Sequence, residues 1–104
     1  MEKVIRDGKV AVLISPGYGS GWYTWNTESE VLLFSPKVVE MVEQGRAKEI
    51  TEEWVEENLG ITDVYCGGAS DLKIEWLTVG SAFSVDDHDG YESILTVNDL
   101  PIIA

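Results

Sequence analysis

Cysteine, proline and basic residues are all scarce in this 104-residue chain, which has one cysteine, three prolines, and seven Lys and Arg against nineteen Asp and Glu. A lone cysteine, Cys66, cannot form an intrachain disulfide, so a small secreted scaffold stapled by such bonds is excluded and a reducing cytoplasm fits. The deficit of bases leaves a formal charge of -12. That field repels phosphate backbones and anionic headgroups, so neither direct nucleic-acid binding nor membrane-surface binding is expected. Long apolar runs are missing as well. The stretch Val10–Ile14 is too short for a signal segment and far below the ~20 residues of a membrane span. No repeat, linker or low-complexity tract interrupts the chain.

Apolar surface, by contrast, is plentiful. Hydrophobic residues make up 44% of the chain, four of them tryptophan, enough to offset the ordering entropy of a compact fold. The length fits one domain over residues 1–104. Asp7-Gly8 between Val4–Arg6 and Lys9–Ile14 predicts a hairpin, whose nearly all-apolar second strand is expected at the centre of a sheet. Ser35-Pro36 predicts a helix start, with Val38, Val39 and Val42 on one face and Gly45 at its end. Thr51 before Glu52 and Glu53 predicts a second helix, with Trp54, Val55 and Leu59 inward and Gly60 as the stop. Val31–Phe34 is expected to be a strand beside a short aromatic strand, and residues 64–66 another. Leu72–Leu77 alternates with period two, and 82–85 and 91–97 form a hairpin around Asp86-Asp87-His88-Asp89-Gly90. The apolar tail, residues 101–104, is expected to dock. The expected class is α+β, with a small, mostly antiparallel sheet, open or barrel-like, and two short helices inserted near the middle.

The most unusual stretch is residues 16–26, where Gly17, Gly19 and Gly21 alternate with Tyr18 and Ser20 before Trp22, Tyr23 and Trp25, without a single charge. Glycines let a backbone approach a ligand, and flat rings offer stacking faces. Tyr18, Gly19, Gly21, Trp22 and Trp25 are therefore the candidate ligand-binding residues, suited to a small planar or nucleotide-like ligand. The competing reading makes the rings core and the glycines bends. The spacing matches neither the dinucleotide fingerprint nor a phosphate loop.

No catalytic residue is assigned. Cys66 with Gly67-Gly68 and the distant His88 has the residue types of a thiol nucleophile, a base and oxyanion donors, but no nucleophile signature surrounds it. No metal or cofactor is expected either, because the aspartates of 86–90 miss the calcium-loop spacing and read as turn formers. The helical acids from Glu40 to Glu57 read as a solvated face, or as a surface that attracts a basic protein. C-terminal to Lys73 no further Lys or Arg occurs, while Glu75, Asp86, Asp87, Asp89, Glu92 and Asp99 follow.

Over the segments SPGYGSGWYTWN, ITEEWVEENLG, VYCGGASDLKIEWL and DGYESI, the chain resembles a family of small acidic proteins of uncharacterised role encoded by tailed bacteriophages. That resemblance implies expression in a bacterial cytoplasm during infection, as an accessory protein that binds or disables host machinery. Three roles follow as expectations. One is a non-catalytic protein capturing a nucleotide-like signal of host defence, as a homo-oligomer whose subunits pool their few cations. Another is an acidic inhibitor of a nucleic-acid-binding defence enzyme, of anti-CRISPR or anti-restriction type. The last is a phage structural or assembly protein.

Overall fold

Two Asp-Gly dipeptides set the strand pairing. In each, both residues take positive φ, 51° and 75° at Asp7-Gly8 and 51° and 88° at Asp89-Gly90, the geometry of a two-residue turn matched to strand twist. A computed structural model describes residues 1–19, 21–26, 29–96 and 102–104. The first turn joins β1 (Ile5–Arg6) to β2 (Lys9–Ile14), and β2 pairs on its other side with β3 (Lys73–Thr78), both antiparallel. The second turn joins β4 (Ala82–His88) to β5 (Tyr91–Leu95), and β4 also pairs antiparallel with the short β6 (Ile102–Ile103). The fold is α+β, with two three-stranded antiparallel sheets, ordered β1-β2-β3 and β5-β4-β6, that do not close into a barrel.

Between β2 and β3 lie α1 (Val31–Phe34), α2 (Pro36–Glu43) and α3 (Glu52–Leu59), with single 3₁₀ turns at Ala47–Glu49 and Ala69–Asp71. The two expected helices are α2 and α3. Ser35 precedes proline and is held out of helical geometry at ψ 118°, so the chain breaks there and restarts with the Ser35 hydroxyl accepting from Val38 N. Thr51 caps α3 by accepting from Trp54 N, and Gly60 ends it at φ 70°.

α1 is a correction, since Val31–Phe34 is helical and not a strand. A short, wholly apolar run carries no period with which to distinguish the two. Here Leu32 N and Leu33 N bond back to Ser29 O and Glu30 O, and Leu32, Leu33 and Phe34 are all buried. The aromatic strand expected next to it is a succession of turns, and residues 64–66 are irregular. The expected five-residue turn 86–90 shrinks to Asp89-Gly90, because two positive-φ residues suffice to reverse the chain, and Asp86, Asp87 and His88 extend β4. Val97 and Pro101, placed by expectation in a strand and in the docking tail, lie outside the described residues. The rest of the tail docks: Ile102 pairs with Phe83, Ala104 N donates to Ser81 O, and Gly80 N donates to Ala104 O.

One core joins these layers. β2 supplies Val10–Ile14, all buried, as its central place requires, and Leu32, Phe34, Val38, Val55 and Phe83 pack into the same cluster. Phe34 meets Phe83 edge to face at 6.2 Å, which ties α1 to the second sheet.

The α3 cap makes a direct test. Thr51→Ala removes the acceptor for Trp54 N and is expected to lower stability by about 1 kcal/mol, measured as a shift of the denaturant midpoint at unchanged slope.

Candidate functional site

Residues 15–26 run from the end of β2 to the turn before α1 with little regular structure, so their backbone donors need partners from elsewhere. The side chain of Glu92, on β5, supplies the partner for three of them. Its alternation with Ile94 turns it inward, and it is fully buried. One carboxylate oxygen accepts from Ser15 N at 2.9 Å. The other accepts from Trp22 N at 3.1 Å, Thr24 N at 2.7 Å and Thr24 Oγ1 at 2.8 Å. The Glu92 backbone N–H in turn donates to Ser15 O. Charge-assisted bonds of this kind are about twice as strong as neutral ones, which offsets the cost of burying the carboxylate. Among the described residues, no buried side-chain nitrogen or oxygen lacks a hydrogen bond.

Held this way, the loop sends its rings in opposite directions. Trp22 is fully buried and its indole N–H donates to Leu32 O at 2.7 Å, and Tyr23 is buried beside it. Trp22 therefore cannot stack on a ligand, and that part of the sequence expectation is corrected. Its neighbours on the candidate list face outward, with Tyr18 70% and Trp25 41% exposed. Gly19, at φ 74°, needs its missing side chain for conformation, whereas Gly21 needs it for space because the Trp25 indole lies directly over it.

Two further rings join the exposed pair. Tyr91, 38% exposed, lies 5.0 Å from Tyr18, which also makes an edge-to-face contact with His88 at 6.1 Å. Tyr65, 42% exposed, lies 5.2 Å from Trp25. The pairs adjoin at Gly19, whose carbonyl accepts from the Tyr65 hydroxyl and whose N–H donates to Asp89 O. Asn26 fixes the far side, accepting from Tyr65 N at 2.7 Å and donating to Tyr65 O at 3.0 Å. Carboxylates accompany the rings: Asp87 accepts from the Trp25 indole N–H at 3.2 Å and from Gly90 N at 2.7 Å. Lys73, whose charge reaches Tyr91, is already paired with Glu75 at 2.9 Å.

Of the loop residues singled out from the sequence, Tyr18, Gly19, Gly21 and Trp25 lie at this exposed cluster; Tyr65 and Tyr91, which complete it, and Glu92, which braces it, were not anticipated. The phase of Ile94 was the available signal for Glu92, since a residue two positions earlier on a strand shares its inward face. Nothing local marks Tyr65, which meets the loop through distant partners, Asn26, Gly19 and Trp25.

The candidate nucleophile is set up for silence. The Cys66 thiol donates to Val64 O, and burial, assisted by the charge of Glu52, pushes its pKa up, opposite to the activation a nucleophile needs. His88 packs instead against Tyr18. Among the described residues no group of three or more His, Cys, Asp and Glu is placed to hold a metal ion, and no helix is long and apolar enough to cross a membrane. Comparison with known family models, with curated proteins and with solved structures finds no match.

Two outcomes follow. Glu92→Gln puts an NH₂ group where a carboxylate oxygen now accepts, so at least one buried backbone donor is left facing a donor. A loss of about 3 kcal/mol is expected in denaturant titration, with a changed near-ultraviolet signal from the loop tryptophans. Alkylation of Cys66 by iodoacetamide at pH 7 is expected to run slower than that of a free cysteine peptide and to accelerate only at pH above the peptide's midpoint, because the raised pKa keeps the thiol protonated.

Proposed function

We propose that this chain is a non-catalytic binding protein that covers the basic surface of another protein, using the exposed rings Tyr18, Trp25, Tyr65 and Tyr91 as its contact patch. The observation that carries this reading is the company those rings keep: exposed Trp25, with Tyr65 against it, stands beside Asp87, and exposed Tyr18 packs with His88 and Tyr91 next to the Asp89 turn, in a chain of net charge -12. Exposed aromatic clusters favour partners, and the face of a ring attracts cations. A phosphorylated, nucleotide-like ligand would need unpaired cations beside the rings; Lys73, near Tyr91, is paired with Glu75, and Trp25 is bonded to Asp87, so the charge arrangement favours a cationic partner over that one.

Basic surfaces are what nucleic-acid-binding proteins present to their substrates. An acidic protein with an aromatic contact patch competes for that surface, its long-range field speeding encounter and its rings holding the complex. In the setting implied by the resemblance to small phage proteins, this chain would act as an inhibitor of a nucleic-acid-binding host enzyme in the bacterial cytoplasm.

The test is a displacement assay. A fluorescent duplex oligonucleotide is bound by a basic peptide of mixed Arg and Lys content, and the protein is titrated in while anisotropy is followed. The expected result is release of the oligonucleotide, weakening as salt rises from 50 to 300 mM. The double substitution Tyr18→Ala with Trp25→Ala, which leaves the charge unchanged, is expected to raise the half-point about tenfold or more, from the loss of two ring contacts. No release, or equal release by the double variant, overturns the reading.

A further inference from the structure

Resting on the basic-partner reading, the geometry points to a narrower ligand: we infer that the patch selects arginine over lysine and takes the guanidinium group itself between ring and carboxylate. Tyr18 and Tyr91 are tilted by 44° at 5.0 Å, and Trp25 and Tyr65 by 43° at 5.2 Å. Each pair is a wedge and not a closed stack, and all four residues are partly exposed to solvent. A flat cation fits such a face by stacking as well as by charge, whereas an ammonium is a compact, strongly hydrated point charge that gains only the second.

Asp87 adds the directional element. Its carboxylate sits on β4 at the level of Glu92 on β5, and it is held in orientation by two donors, one on each oxygen: Gly90 N on Oδ1 and the Trp25 indole on Oδ2. Each oxygen keeps a further lone pair, so the group presents a fixed, forked acceptor beside the Trp25 ring. The planar fork of a guanidinium matches it with parallel bonds; an ammonium engages one oxygen and gains nothing from the fixed plane. The same contact holds the indole and the carboxylate together, so ring and acceptor are positioned as one unit.

Two probes of equal length and charge, hexa-arginine and hexa-lysine, separate the possibilities when titrated into the intact protein at 150 mM salt and followed by tryptophan fluorescence and calorimetry. The expected result is about tenfold tighter binding of hexa-arginine. Asp87→Asn keeps one acceptor oxygen and the side-chain shape but loses the forked anion, and is expected to cut the arginine preference to about twofold while changing hexa-lysine affinity by no more than about threefold. Tyr18→Ala, remote from Asp87 and exposed, is expected to weaken both probes, arginine the more. Circular dichroism of both variants is expected to match the parent. Equal affinity for the two probes sinks the arginine inference and leaves the basic-partner reading standing. Binding of neither sinks both, and an undiminished preference in Asp87→Asn removes the forked carboxylate as its cause.

Discussion

A single buried carboxylate holds the distinctive part of this molecule in shape. Three backbone donors of the irregular segment after β2, from Ser15, Trp22 and Thr24, converge on Glu92. Burying a charge without a cation costs several kcal/mol in principle. The donors share one acceptor group, so a loop misplaced at any of them leaves the buried carboxylate less well satisfied. Glu92 thus does for an irregular segment what a strand ladder does for a regular one.

The consequence for the rings is geometric. With Trp22 N and Thr24 N both tied to the same oxygen, the intervening chain must turn, which sends Trp22 into the core and brings Trp25 back over Gly21 to the surface. Asn26 then closes the loop on Tyr65, and the Tyr65 hydroxyl closes it again on Gly19. The exposed rings are therefore carried by a scaffold that is bonded at both ends and in its middle. Their exposure is a property of the fold, because hydrophobic burial alone would have taken Trp25 inward with Trp22.

Elements with their own local chemistry were legible in the sequence. The Asp7-Gly8 turn, the Ser35-Pro36 and Thr51 caps, the Gly60 stop and the central position of Val10–Ile14 each follow from a residue acting within a few positions of itself. The α+β class follows from them. What the sequence left obscure depends on distant partners. Val31–Phe34 has no period to read, and it is helical because its back-bonded turn and its buried face against β2 favour that state. Glu92 looked like one more member of an acidic block, since nothing near residue 92 reveals that residues 15, 22 and 24 will meet it. The split of the glycine-aromatic loop into core and surface rings depends on that same contact, so the loop was recognisable while its two faces were not.

Fixing the patch in advance also bears on how it would bind. A flexible loop of Gly, Tyr and Trp would lose side-chain and backbone freedom on forming a complex, at roughly 0.5 to 1.5 kcal/mol for each side chain immobilised. Here that loss is taken during folding, where the Glu92 and Asn26 bonds offset it. On the proposed function, binding would then draw on ring and carboxylate contacts with little of their energy spent on ordering. The net charge of -12 acts at longer range, within a screening distance of about 8 Å at physiological salt, to raise the encounter rate with a basic surface and lower it with a nucleic acid. On the proposed function, charge would select which class of surface arrives, and the rings would determine how firmly it stays. The two can be varied independently, because the acids of α3 lie outside the patch whereas Asp87 lies within it.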